Sequence, residues 1–275
     1  MFKDIKQVMK DSVLYGIGNV AVKLVGFILI PLYTDAEYFS TADYGLMGLL
    51  EVTSQILIAV MGLSLYSGLI RWYWDAEFRD KQKSVFFTTL LFTILTSLGV
   101  GGLLWLNVDG LSTLLIQQEG YSIGEELPYI LQLLILTSML GAVVEVPQNL
   151  LRLQSKPIYY SATNIVRLFV TLILTIYFTI SLHRGVAGVY EAQFFGIIIQ
   201  LFMVLPLIIK NSSLRIDKRC TIQLLSYSYP LVFPAIVGSL LTVFDRYIIN
   251  HFQGLEDVGF YSLGYKVGNT LKVFV

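Results

Sequence analysis

Seven apolar blocks, each about 20 residues long, follow one another along this chain, and an eighth has begun where the sequence ends. At 1.5 Å per helical residue, a block of that length covers the roughly 30 Å of hydrocarbon in a bilayer. No soluble core needs so many helices apolar over their whole length. The blocks predict membrane-spanning helices at about 12–34, 45–67, 84–106, 127–150, 159–181, 186–209 and 226–250, with another from about 258. The basic opening, MFKDIKQVMK, precedes the first block. That block is too long for the apolar part of a cleaved leader and ends in no small-residue cleavage site, so it is expected to be retained as span 1.

Composition agrees. Apolar residues make up 55% of the chain and charged residues 14%, against about 25% charged in an ordinary soluble domain. The formal net charge is zero, and no basic patch interleaved with aromatics is present, which argues against nucleic acid as a partner. Cys220 is the single cysteine, so no disulfide forms within the chain. The two histidines, His183 and His251, fall near span ends and read as interfacial residues. They lack the close-spaced companions of a metal site. No cofactor is expected.

The charges between spans alternate. Lys3, Lys6 and Lys10 precede span 1. Arg71, Arg79, Lys81 and Lys83 follow span 2. Arg152 and Lys156 follow span 4, and Lys210, Arg215, Lys218 and Arg219 follow span 6. The intervening loops carry Arg184 alone. Lysine and arginine stay on the cytoplasmic side during insertion, so the N-terminus is expected to be cytoplasmic. The alternation also supports the number of spans, because one missed helix would scramble it.

The chain also echoes itself. Moved along by 214 residues, Ser12 falls on Ser226, Tyr15 on Tyr229, Asp43 on Asp257 and Gly45 on Gly259. In both places a long helix leads to a short acidic outer loop, then Asp-x-Gly and a new helix. Both copies start on the same side, so the repeat is parallel with six helices per unit, a plan used by transporters with the substrate path between halves. This predicts a six-helix lobe over 1–210, a cytoplasmic linker over 211–225, and the start of a second lobe over 226–275. On that reading the chain is expected to be a fragment of a longer protein.

Polar and ionisable residues inside spans are costly and are candidates for function. Lys23 and Asn19 share a polar stripe on span 1. Arg167 and Asn164 share one on span 5, and Lys266 lies deep in the eighth helix. Acidic partners are Glu51 on span 2, Glu145 on span 4 and Glu191 on span 6. Ion pairing of Arg167 with Glu145 or Glu191 is the structural alternative, and Glu51 is expected to be structural. Asp245 and Arg246, near the outer end of span 7, can snorkel to the interface as an anchor. Pro230 and Pro234 offer that helix a bend.

The stretches DSVLYGIGNVAVKLVGFILIPLYT, FSTADYGLMGLLE and FDRYIINHFQGLEDVGFYSLGYKVGN resemble polysaccharide-export flippases. These are the O-antigen (Wzx-type) members of the multidrug/oligosaccharidyl-lipid/polysaccharide (MOP) exporter superfamily. The features that carry the likeness are Pro31-Leu32-Tyr33, Tyr44-Gly45, Asp245-Arg246 and Gly259-Phe260-Tyr261. The chain departs from the family in length, because most of a second lobe is missing. The resemblance implies an all-α, MATE-like helical bundle in the cytoplasmic (inner) membrane. It implies alternating access that moves an undecaprenyl-diphosphate-linked oligosaccharide outward, beside a glycan polymerase or glycosyltransferase. Lys23, Arg167 and Lys266 would then attract the diphosphate, with Asn19 and Asn164 lining the path. Glu145, Glu191 and Glu51 would serve ion pairing or coupling, and Asp245 and Arg246 a gate. A multidrug or cation antiporter of the same superfamily, or a membrane scaffold in glycan assembly, are the alternatives. An enzyme is not expected, because the loops are short and hold no paired-carboxylate, nucleophile or metal motif.

Overall fold

The structure, a computed structural model, describes residues 28–115, 126–213 and 216–271. Those residues form helices α1 (Ile30–Tyr33), α2 (Thr41–Gly62), α3 (Leu65–Trp72), α4 (Gln82–Leu106), α5 (Val108–Leu115), α6 (Leu127–Leu153), α7 (Pro157–Ile176), α8 (Gly185–Asn211), α9 (Lys218–Phe252) and α10 (Leu255–Leu271). A 3₁₀ turn at Ala76–Lys81 leads into α4, and a π-helical turn at Tyr177–Ser181 ends α7. Six of the helical segments are long and apolar enough to cross a bilayer. This is a polytopic, all-helical membrane bundle.

Local chemistry sets the helix starts. Ser40 caps α2: its hydroxyl accepts from the Asp43 N–H at 3.1 Å, and the Asp43 carboxylate accepts from the Ser40 N–H at 2.8 Å. This capping box satisfies two orphan donors at once. Asp217 caps α9 by accepting from the N–H groups of Arg219 and Cys220. Pro128 and Pro157 stand in the first turns of α6 and α7, where a missing N–H costs nothing.

Span 1 lies largely outside the described residues; most of the other expected spans match observed helices to within a few residues, with two differences. Span 2 is broken. Leu63 and Ser64 both take left-handed backbone angles (φ 44° and 51°), which separate α2 from α3. The Met61 carbonyl at the break accepts from the Thr96 hydroxyl at 2.6 Å, and the Ser64 hydroxyl donates to the Leu231 carbonyl at 3.3 Å. Broken backbone inside a membrane needs such substitute partners. Helix α9 also starts at Lys218, inside the stretch read as a linker. Its 35 residues carry Pro230 and Pro234 in the interior.

The core lies in two layers. Leu46, Leu49, Leu50, Ile130, Leu131, Val186 and Leu255 fill the outer one, joining α2, α6, α8 and α10. Leu65, Leu69, Phe78, Phe86, Leu150 and Leu224 fill the inner one, joining α3, α4, α6 and α9. The outside of the bundle is also apolar: Leu106 is 81% exposed, Phe202 66% and Leu241 83%. Such a surface suits lipid, not water.

Helix α10 lies along α2 through glycines. A Cβ on Gly45 would stand 1.8 Å from the Leu255 carbonyl oxygen, and one on Gly259 would stand 2.4 Å from the Thr41 carbonyl oxygen. The 214-residue shift carries Thr41 onto Leu255 and Gly45 onto Gly259, so each contact is the image of the other. Gly48 against Ser262 obeys the same shift. The sequence echo is therefore a symmetric, parallel helix crossing. Gly45→Ala is expected to destabilise the protein by about 1–3 kcal/mol through overpacking. Gly99→Ala, with open space around it, is expected to be neutral or stabilising; thermal unfolding in micelles compares the two.

Candidate functional site

A cavity of about 190 Å³ opens between α2, α8 and α10. Tyr33, Met47, Glu51, Ser54 and Gln55 line one wall, Val189, Tyr190 and Gln193 another, and Lys266 closes the third. Glu51 lies ten residues into α2 and Lys266 eleven into α10, so each is about 15 Å from the helix start. Both groups therefore lie well inside their helices, in the wall between α2 and α10. The Lys266 ammonium stands 3.7 Å from the Glu51 carboxylate, and both groups are partly exposed to the cavity. It also sits 5.6 Å from the Tyr33 ring centroid and 5.3 Å from that of Tyr44. Aromatic faces stabilise a cation that has left water.

Arg246 adjoins this site. It is 7% exposed, donates from Nε to the Ser262 hydroxyl at 3.3 Å, and lies over the Tyr265 ring at 4.7 Å. The expectation that it snorkels to the interface is corrected: the rings and hydroxyl of α10 cover the guanidinium where it is. Its neighbour Asp245 accepts from the Tyr261 hydroxyl across the same helix pair.

The other sequence candidates lie apart. Arg167 donates to the Gln200 side chain at 3.1 Å, and Gln200 donates to Asn164 at 3.0 Å. This ties α7 to α8 through one buried amide. Glu191 takes Arg184 as its ion pair and accepts from the Tyr129 hydroxyl at 2.9 Å, so the alternative pairing of Arg167 with Glu191 is not formed. Glu145 stands on α6 beside Gly62. Lys23 and Asn19 lie outside the described residues. Sequence reasoning missed Gln193, Gln200, Tyr33 and Tyr44 as site residues. Gln193 and Gln200 are two helical turns apart in an otherwise apolar run, and that spacing was the available signal.

At one end of the bundle, α9 is fastened to the turn before α4. Lys81 pairs with Asp217 at 2.5 Å, and Arg219 pairs with Glu77 at 2.6 Å. The Lys81 hydrogen bond, then that of the Cys220 N–H, holds the Asp217 carboxyl below its ordinary range. A lowered folded-state pKa stabilises above the unfolded value and is lost as pH falls through the folded one. A Lys81→Ala/Asp217→Ala double-mutant cycle is therefore expected to show coupling at pH 7 that is lost in acid as Asp217 takes up its proton. Arg246→Lys keeps the charge but loses the forked group over Tyr265, and is expected to lower stability by about 1–2 kcal/mol in thermal unfolding.

The comparisons with known proteins agree with this architecture. A MATE crystallised with MaD3S superposes with a TM-score of 0.74 at 14% identity, over 98% of this chain and 62% of that one. An outward-facing multidrug resistance MATE transporter of the MOP superfamily gives 0.70 at 14% identity, over 98% and 61%. A MOP superfamily transporter from Pyrococcus furiosus, described as having a reversed polarity of its binding pocket, gives 0.70 at 16% identity, over 96% and 61%. The chain thus spans about three fifths of the structures it matches. No relative was found among curated protein sequences. The model of the polysaccharide biosynthesis protein family matches residues 8–275, and the chain belongs to that family, with the fold of the MOP exporters.

Proposed function

We propose that this chain supplies the first lobe and the inter-lobe wall of a membrane transporter, one that moves a polyprenyl-diphosphate-linked oligosaccharide across the cytoplasmic membrane. The observation that carries the reading is the polar cavity between α2, α8 and α10, with Lys266 inside it and the buried Arg246 beside it. A diphosphate cannot enter hydrocarbon bare, and cationic donors in a low-dielectric wall offset its lost hydration. Glu51, Ser54, Gln55 and Gln193 supply acceptors and donors for sugar hydroxyls. The isoprenoid tail stays in the bilayer beside the apolar outer face. On the first lobe, Arg167 with Asn164 and Lys23 with Asn19 are further candidates for the glycan path. Family membership supports the polysaccharide assignment.

Export of an organic cation is the second reading. The observation favouring it is Glu51, whose carboxylate is 53% exposed at the cavity.

Binding of an undecaprenyl-diphosphate oligosaccharide to the chain in nanodiscs separates the two. Lys266→Ala is expected to weaken binding about tenfold or more, the loss of a charge-assisted contact, while Lys266→Arg and Glu51→Gln retain it. Equal binding by Lys266→Ala, together with cation binding that Glu51→Gln abolishes, would favour the second reading.

A further inference from the structure

Lys266 and Glu51 are the charged residues that line the cavity between α2, α8 and α10, and their formal charges cancel. A neutral wall offers an approaching diphosphate little attraction. The same wall with Glu51 turned aside presents a positive charge. The pair is built loosely enough for that change. Its partners stand 3.7 Å apart, where a charge-assisted hydrogen bond would bring them to about 2.8 Å. The side chains are 31% and 53% exposed. Ion pairs this open to their surroundings are weak, whereas a tight, buried pair resists opening.

The two partners differ in what else holds them. Lys266 lies between the Tyr33 and Tyr44 rings, at 5.6 and 5.3 Å from their centroids. Both rings are buried, and they pack against each other at 6.2 Å, with Phe39 against Tyr33 at 5.6 Å. This cage is fixed. It attracts the ammonium without neutralising it, so it holds the cation in place whether or not a carboxylate is there. Glu51 has no such anchor: among the described residues its carboxylate accepts no hydrogen bond. Gln55, one helical turn on, and Gln193, across on α8, line the same cavity, and their side-chain amides bond nothing among the described residues. Either amide can donate to a carboxylate that has left Lys266.

We propose that Glu51 is a built-in stand-in for the substrate's phosphate. It occupies the anion position at Lys266 until a diphosphate displaces it, and the tyrosine cage keeps the ammonium aimed into the cavity during the exchange. The competition weakens binding and eases release, because the displaced carboxylate stays within reach and retakes Lys266 as the phosphate departs. A transport site must bind well enough to load and loosely enough to unload. Glu51 thus regulates occupancy of the site and makes no contact with the phosphate itself. This role rests on the reading of the cavity as a diphosphate site, but its test needs no glycolipid.

Thermal unfolding of the whole chain in micelles is followed while sodium pyrophosphate replaces sodium gluconate at constant ionic strength. A ligand of the folded state raises the midpoint. The wild type is expected to rise with pyrophosphate, and Glu51→Gln to reach half of its full rise at about fivefold lower concentration, the worth of one exposed ion pair. Glu51→Gln/Lys266→Gln is expected to lose that gain. Equal half-rise concentrations in the wild type and Glu51→Gln overturn the proposal and leave the pair a structural tie between α2 and α10. A gain that survives in the folded double variant also overturns it, because the effect is then simple repulsion by Glu51 and not release of Lys266. So does a midpoint that ignores pyrophosphate in both the wild type and Glu51→Gln. The fivefold gain without glycolipid binding in nanodiscs keeps the stand-in role and removes the glycolipid as substrate. Glycolipid binding without the gain does the reverse.

Discussion

The close crossing of α2 and α10 is the constraint on which the rest of the structure depends. Carbonyl oxygens from each helix sit where the other would carry a Cβ. In hydrocarbon no apolar driving force brings helices together, so association rests on close packing, which small residues allow. Once Gly45 and Gly259 are in contact, the depth and rotation of α10 are set. Lys266 then lands opposite Glu51, and Ser262 opposite Gly48. The polar cavity follows from the glycine contact about two turns before it.

The site shows how charge is tolerated at that depth. Lys266 is shared between a carboxylate and two tyrosine faces, and Arg246 between a hydroxyl and the rings of Tyr261 and Tyr265. The Lys266–Glu51 pair stands at 3.7 Å with both side chains partly exposed. Arg167 is different. Its bond to Gln200 ties two neighbouring helices of the first lobe together, whatever else it does.

Much of the fold was legible because the bilayer imposes one rule on every span: about 20 apolar residues in a row. The echo at Asp257 was legible because both copies place a glycine at the same point of the crossing, Gly45 and Gly259. The break at Leu63–Ser64 was not legible. Neither residue is glycine or proline, and the partners that sustain the break, Thr96 and Leu231, come from α4 and α9. The burial of Arg246 was missed for a similar reason. Distance from the helix end suggested snorkelling, while the aromatic pair that covers it lies on the next helix. Lys266 and Glu51 were found separately as intramembrane charges, but their meeting depended on a crossing that no local pattern encodes.

The break in α2 and the prolines of α9 meet at one level, joined by the Ser64 bond to Leu231. Below that level α3 and the start of α9 are locked. The Trp72 and Tyr227 rings touch at 6.3 Å, a Cβ on Gly68 would strike the Ser228 hydroxyl, and two ion pairs close the end. These pieces make a single lever whose fulcrum is the break at Leu63–Ser64 and the prolines of α9. A movement at that end of the bundle must either tear that lever apart or swing it whole, pivoting at Leu63–Ser64 and Pro230–Pro234.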